Sequence, residues 1–404
     1  MVAIEFTSIP DTDADYNLQL ELLASFKKQT GVEVKLTRME WGDAWQKLIN
    51  ISTHGQGADI SHVGSTWVSS LVSMNSLRPI PPHLITKIGS EESFVHSAWK
   101  SSTMEDDRQT WAIPLSVYTY AIAYRRDLLA KAGLDSATAF ATPFSCEETI
   151  CKLEEHNDVE HAWLMPYVPF PFNDFVHTAA SWVWSSGGHL IDNRGKQVLF
   201  DSPATRAGLK AYFKLLRRVP NDQSGESLGT DDCMQMLMQG KAAAVLTDAR
   251  AILLHLQEDT PEAKNIGTAS LMSIPWSGGG NLVIWRHTYG YPDRLEAAFK
   301  LAEFLTRKST MLAVGSRSQI LPARVDALDE LIPSEHPLRP VMIQLVSSAR
   351  TYRTIPLWRR IENQFGQELG VIARALFENK EGDLEPLLVE TMNSLTHRLN
   401  LTLG

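Results

Sequence analysis

The sequence predicts an α/β protein of two domains. The length of 404 residues exceeds the roughly 250–300 at which one hydrophobic core stops growing. Near the start, strand-like and helix-like segments alternate three times. A composition of 44% hydrophobic and 21% charged residues supplies enough apolar surface to offset the ordering entropy of a globular chain.

The elements follow in order. "AIEFTSI" reads as the first strand, and Leu18, Leu22, Leu23 and Phe26 recur at helical spacing from about Tyr16, with Gly31 as the stop. "VEVKLTRM" is the second strand, and a helix carrying Trp45, Leu48 and Ile49 follows it with Asp43 as N-cap. "ADISHVG" is the third strand, before a helix from about Trp67 to Asn75 that "LRPIPP" closes. Strands separated by helices imply parallel pairing with right-handed crossovers. In "WAIPLSVYTYAIAYRRDLLAKAGL", Tyr118, Tyr120, Ile122 and Tyr124 alternate with smaller residues, the period of an extended segment, so three tyrosines share one face.

Further on the chain is more helical. "SPATRAGLKAYFKLLRRV" places Leu209, Tyr212, Phe213 and Leu216 on one face, with Ser202 and Pro203 suited to N-cap and N1. "DDCMQMLMQG" ends at Gly240 and "KAAAVLT" reads as a buried strand. "GNLVIW" and "LEAAFKLAEFLTRK" return to the strand-helix pattern, after a linker-like Ser273–Asn281.

A net charge of -9, with no cluster of Lys and Arg, argues against nucleic acid, which selects basic faces. No apolar run reaches the length of a membrane span, and no secretory signal opens the sequence, so the expectation is a cytosolic protein or a mature chain freed of its export signal. Cys146, Cys151 and Cys233 are expected to be free thiols, because the count is odd and Cys146 and Cys151 share a helix. "DTDAD" at Asp11–Asp15 starts like a calcium loop, but Tyr16 and Leu22 replace the Gly and Glu that the loop needs. Those acids are expected to cap the next helix, and no metal or cofactor site is predicted. Neither a phosphate-binding Gly loop nor a nucleophile elbow nor a zinc helix is present.

Aromatic residues gather where loops are expected. "EWGDAW" follows the second strand and "GSTWV" the third, and Trp163, Tyr167, Phe170, Phe172 and Phe175 lie in a Pro-rich stretch. Loops at the carboxyl ends of parallel strands bind ligands in open α/β sheets. Flat aromatic faces beside Asp, Asn and Thr suit a polyhydroxylated ring, whose C–H face stacks while its hydroxyls hydrogen-bond.

Together, "SFKKQTGVEVKL", "GQGADISHVGSTWV" with "LRPI", "WAIPLSVYTYAIAYRRDLLAKAGL", "SSGGHLIDNRGKQVLFDSPATRAGL", "MQGKAAAVLTD", "GGGNLVI" and "AEFLTRKSTMLAVGSRSQILPAR" resemble the extracellular solute-binding proteins of carbohydrate ABC importers (family 1), the group of the maltose- and trehalose-binding proteins. The resemblance runs through nearly the whole chain. It implies the two-lobed periplasmic-binding-protein fold of class II type, each lobe a discontinuous α/β sandwich with a central sheet, and a ligand cleft between lobes. Residues 1–117 and 283–325 would form lobe one, and 118–282 with 326–404 lobe two, with crossovers near Val117–Tyr120, Leu271–Gly280 and Leu321–Val325 that rotate when ligand closes the lobes.

The same matching nominates Glu40, Trp41, Ser65, Thr66 and Trp67 as ligand-binding residues of lobe one. Tyr118, Tyr120, Trp182, Asp248, Arg250 and Trp358 are nominated in lobe two, with Gly279, Gly280 and Asn281 at the second crossover. Trp67 is expected to stack on the ligand. Relatives often carry an Asp-Thr-Arg type triplet where this chain has Tyr118, Thr119 and Tyr120, and an Asp at Ser65. The implied function is a non-enzymatic sugar receptor, monomeric, periplasmic or extracellular or lipid-anchored at the cell surface, that hands its ligand to membrane permease subunits. Two other readings remain open. One is the same fold holding a phosphorylated polyol or sugar acid through Arg125, Arg126 or Arg250; the other is a glycoside hydrolase using Glu40, Asp174 or Asp248.

Overall fold

The structure, a computed structural model, describes residues 2–104, 109–156, 159–167, 174–220, 228–257 and 260–403. Its strands are β1 (Ala3–Ser8), β2 (Glu33–Arg38), β3 (Ile60–Gly64), β4 (Ile113–Arg125), β5 (His161–Leu164), β6 (Ala242–Asp248), β7 (Ile266–Ser270), β8 (Ser277–Ile284) and β9 (Leu321–Pro322). The chain divides into two compact units. Unit 1 comprises Met1–Tyr118, Gly278–Pro333 and Thr351–Arg359; unit 2 comprises Thr119–Ser277, Ser334–Arg350 and Arg360–Gly404.

In unit 1, β1 runs parallel to β2 on one side and to β3 on the other, as the early strand-helix alternation predicts. β8 pairs antiparallel with β3, from Ile60 opposite Ile284 to Gly64 opposite Gly280, and the first part of β4 pairs with β9. The helices of this unit begin earlier than expected. Helix α1 (Asp13–Thr30) is capped by Thr12: the Asp15 N–H donates to Thr12 Oγ1 at 3.1 Å and the Thr12 N–H to Asp15 Oδ2 at 3.0 Å. "DTDAD" is thus a helix start, with Asp13 and Asp15 at the positive end of the dipole. Helix α2 (Trp41–His54) starts after Glu40, so Asp43 lies in the first turn, where it accepts the Glu40 N–H at 3.2 Å, and is not the N-cap.

In unit 2, the second part of β4 is flanked by antiparallel neighbours, β6 (Tyr120 opposite Asp248) and β7 (Ala121 opposite Ser270), and β5 runs parallel to β6. The helix Pro203–Leu216 packs its predicted face inward, with Leu209, Tyr212, Phe213 and Leu216 buried and Ser202 accepting the Thr205 N–H. Cys146, Cys151 and Cys233 are free thiols.

The unit boundaries differ from the expected 117/118, 282/283 and 325/326, falling after Tyr118, Ser277 and Pro333. The second moves because "SGGGN" is the start of β8 and not a linker. The third moves because the helix Val325–Leu331 packs on the helix Lys308–Ser318 of unit 1. A further return, Thr351–Arg359, brings part of the C-terminal region into unit 1.

β8 can enter its sheet only because glycines follow its first residue, Ser277. Gly279 has φ +140°, and a Cβ there would stand 2.1 Å from the Ser116 carbonyl oxygen, while a Cβ on Gly280 would stand 2.1 Å from His62 Nε2. Gly279→Ala is therefore expected to cost about 3 kcal/mol or more, through a forbidden backbone and a clash with main chain that cannot rotate away. Gly370→Ala, in the helix Trp358–Glu378 with nothing within 4 Å of the new methyl, should instead stabilise by roughly 0.5–1 kcal/mol. Chemical denaturation of both variants checks the contrast, and equal effects would show that the close approach is not a constraint.

Candidate functional site

In unit 1 the chain leaves β1, β2 and β3 at their carboxyl ends toward Asp11, Glu40–Trp41 and Ser65–Trp67. Trp41 is 43% exposed, and its indole N–H donates to Asp11 Oδ1 at 2.9 Å. Its ring meets Trp67 edge-on at 5.6 Å and His62 at 6.2 Å, and Trp45 meets the other side of Trp67 at 5.6 Å. The Arg359 guanidinium lies 5.8 Å from both the Trp45 and Trp67 rings. Gly64, opposite Gly280 in the sheet, leaves room for the Trp67 ring, which would lie 3.3 Å from a Cβ there.

Trp67 is only 6% exposed and belongs to the core cluster with Met39, Leu48, Val63 and Leu71. Trp67, expected to supply a stacking face, is packed in the core with its ring against Trp41, and Trp41 keeps the more exposed ring. The three tryptophans pack T-shaped with Trp67 in the middle, so Trp67 is buried while Trp45 is half-buried and Trp41 exposed. Glu40 is exposed and pairs with Arg38 Nε at 2.6 Å; Ser65 is buried and Thr66 half-buried. Asn281 is buried, with its amide donating to Ser101 Oγ at 3.0 Å, and the Gly280 N–H donates to Ser116 Oγ at 3.1 Å.

Trp358, expected in lobe two, lies in unit 1 with the Thr351–Arg359 return. It is 2% exposed and stacks on Tyr352 at 4.3 Å, while the neighbouring Pro356 carbonyl accepts the Ser70 hydroxyl at 3.4 Å. Tyr118, half-buried, is the last residue of unit 1 before the crossing.

Unit 2 carries a second aromatic and polar set. Tyr120, almost fully buried, packs on Trp276 at 5.9 Å, and the His177 ring stacks on the Trp276 indole at 4.0 Å with 13° between planes. The Thr119 hydroxyl donates to the Trp276 carbonyl at 2.9 Å, and the Trp276 N–H donates to Ser181 Oγ at 2.9 Å. His177 Nε2 lies 3.8 Å from the buried carboxylate of Glu362. Two nominated residues serve the framework instead. Trp182 is fully buried against Tyr212 at 5.2 Å, and Asp248 caps a helix by accepting the Ala251 N–H at 2.8 Å and the Thr230 hydroxyl. Arg250 is half-buried on that helix.

Asp11, His62, Trp276, His177, Glu362 and Arg359 are members of these sets that the sequence reading does not nominate. Trp276 carried a signal, standing beside the glycines of "PWSGGG", but that stretch reads as a linker. Phe170, Phe172 and the Asp174 side chain lie outside the described residues.

Arg125 is taken up by Asp127 at 2.6 and 3.0 Å, which holds that carboxyl down to about 2, and Arg126 Nε donates to the Ile266 carbonyl at 3.1 Å. The Arg125 guanidinium is therefore engaged by a carboxylate of its own chain, while Arg126 is exposed. No helix among the described residues is long and apolar enough to cross a membrane.

Two α/β units of interrupted chain, with aromatic and polar side chains beyond the carboxyl ends of parallel strands, have the architecture of α/β solute-binding proteins. A family model described as bacterial extracellular solute-binding protein matches residues 21–340, and the chain belongs to that family. It is 20% identical over 340 residues to a binding protein of Brucella abortus, covering 82% of this chain and 78% of that one. Among solved structures, the sugar-binding protein MalE of Xanthomonas citri aligns with a TM-score of 0.80 at 18% identity, covering 100% of this chain and 97% of its own. Maltose-bound MalE3 of T. maritima aligns with a TM-score of 0.78 at 19% identity, covering 98% and 100%. Lmo0181 of Listeria monocytogenes, in complex with cycloalternan, aligns with a TM-score of 0.74 at 17% identity over 98% and 99%.

Burial pushes the His62 imidazole down to about 4 from 6.5, against a smaller upward pull from Asp11. The unfolded chain therefore binds a proton that the folded chain refuses, and stability falls as pH drops from 6.5 toward 4. His62 contributes at most about 3 kcal/mol of that loss. His62→Gln should have a shallower acid limb of Tm across this window, and superimposable limbs would remove His62 as a source of acid sensitivity.

Proposed function

We propose that the chain is the sugar-binding component of an ABC importer, taking up a mono- to oligosaccharide without catalysis and delivering it to membrane permease subunits. The observation that carries the reading is Trp41, an exposed indole fixed at the carboxyl end of a parallel sheet. Asp11 holds its N–H, and Trp67, itself packed with Trp45 and Arg359, meets its ring edge-on. A ring so held presents a flat apolar face with little conformational entropy left to lose on binding. Asp11, which accepts that N–H, sets a carboxylate beside the ring as an acceptor for hydroxyls. Unit 2 offers a comparable pairing of indole, imidazole and carboxylate in Trp276, His177 and Glu362.

Similar structures point the same way: maltose is bound to one, alpha-D-tagatose to a Thermotoga lettingae protein and cycloalternan to another. The commitment of Arg125 to Asp127 favours a neutral sugar over an anionic one. The helix-capping role of Asp248 and the pairing of Glu40 with Arg38 leave these two nominated carboxylates otherwise engaged, which favours binding over glycoside hydrolysis.

Calorimetry against a carbohydrate panel tests the reading, with chromogenic glycosides as the control for turnover. At least one sugar should bind stoichiometrically and without hydrolysis, and Trp41→Ala should weaken it by about 2 kcal/mol, or roughly 30-fold, with little loss of Tm. Trp67→Ala should cost about 3–5 kcal/mol in folding instead. A panel without a ligand, or a Trp41→Ala variant with unchanged affinity, would sink this assignment of the site.

A further inference from the structure

At the opposite end of the unit 1 sheet lies a second cavity, of about 470 Å³. The antiparallel register of β8 against β3 puts Gly280 at Gly64, beside Trp41 and Trp67, and Ile284 at Ile60, so the two ends of this pairing are about 13 Å apart along β3. The cavity opens at the Ile60 end. The C-terminal turn of α2, the turn Asn75–Arg78 and the segment Trp285–Gly290 form its walls.

Its chemistry contrasts with that of a chain carrying a net charge of -9. Arg78 and Arg286 line it, and no Asp or Glu does. Several other arginines are paired with carboxylates, as Arg38 with Asp13, Arg294 with Asp59, Arg317 with Glu21 and Arg324 with Asp326. Among the described residues, neither Arg78 nor Arg286 has an acidic partner within ion-pair distance. Arg78 instead rests over the Tyr289 ring at 5.5 Å, and Arg286 reaches the Asn75 carbonyl at 3.4 Å, a long contact that a better acceptor would displace.

The framework around them is fixed. The buried Trp285 donates its indole N–H to Ser61 Oγ at 2.7 Å and its backbone N–H to the Asp59 carbonyl at 3.1 Å. The Arg286 N–H donates to the Ser76 carbonyl at 2.8 Å, and the Ser52 and Ser76 hydroxyls bond to each other. Asn75 is held in the left-handed region at φ 58°, a conformation that costs energy and is kept by its surroundings. Because α2 ends at this cavity with the negative pole of its dipole, an anion can be held only on the arginine side.

We propose that this cavity is a second binding site, which takes a small organic anion by its carboxylate or phosphate head on Arg78 and Arg286 and packs its apolar portion against the partly exposed Ile51. The site is independent of the sugar reading, since none of its residues belongs to the set around Trp41.

Calorimetry of the full chain with inorganic phosphate and with citrate, at fixed ionic strength, tests it and distinguishes the two head groups. Binding of either anion is expected, weakened about tenfold or more in Arg78→Gln and in Arg286→Gln. Both side chains are exposed, and the anion-free Tm of each variant reports that it folds. Sugar affinity in the same variants should equal that of the unsubstituted protein, so a failed sugar screen and a failed anion titration are separate results. No binding of either anion, or binding that survives both substitutions, would overturn the site.

Discussion

The absence of side chains on Gly279 and Gly280 is the constraint from which much of unit 1 follows. β8 lies between β3 and β4 in the sheet order, and the place where it starts is crowded on both sides. The Ser116 carbonyl approaches Gly279 and the His62 imidazole approaches Gly280. With that approach allowed, the Gly280 N–H reaches Ser116 Oγ, and the pairing of Gly280 with Gly64 sets the register of β3. Gly64 in turn gives Trp67 its place, and Trp67 supports Trp41. One run of small residues thereby positions an indole that is distant in sequence. The first duty of these glycines is to the sheet.

The far end of the same strands depends on a buried charge. Asp59 accepts the Glu5 N–H at 2.9 Å and the Thr288 hydroxyl at 3.2 Å, and pairs with Arg294 at 2.8 Å. These contacts join β1, β3, the turn after β8 and the helix Pro292–Thr306. A buried carboxylate is tolerated only when such partners replace its water. Fixing Thr288 and Trp285 this way also fixes the wall of the second cavity. The two ends of the sheet are thus stabilised by different chemistry, close backbone packing at one and a satisfied ion pair at the other.

Much of this was legible in the sequence, for physical reasons that differ by element. The parallel β1–β3 arrangement follows from apolar period and spacing, which local physics determines. Aromatics after β2 and β3 marked the loops that carry the unit 1 set. The roles within that set were not legible: Trp41 and Trp67 have similar neighbourhoods in the sequence, and only packing decides which ring keeps solvent. Asp248 and Trp182 look like ligands because polar and aromatic residues near strand ends serve either purpose. A cap and a core contact took them. Arg359 and Glu362 were invisible because their placement depends on Thr351–Arg359 returning to unit 1 while Arg360 onward does not, a division that hydrophobic pattern does not encode.

The tyrosines of β4 show where pattern reading stops. Their shared face is a true consequence of the extended backbone, yet each meets a different surrounding. Tyr118 ends unit 1, half-buried; Tyr120 is covered by Trp276 in unit 2; Tyr124 packs on Phe140 at 5.4 Å, where a Cβ on Gly267 would stand 2.4 Å from its ring. Period two specifies that the rings are aligned, since alternate side chains of a strand must be. It cannot specify what covers them, because β4 passes from one unit to the other between Tyr118 and Thr119 and its neighbours change from β9 to β6 and β7. A stripe that looks like one surface is therefore three positions with separate work: a boundary, a support for the indole of Trp276, and a core contact that only a glycine opposite permits.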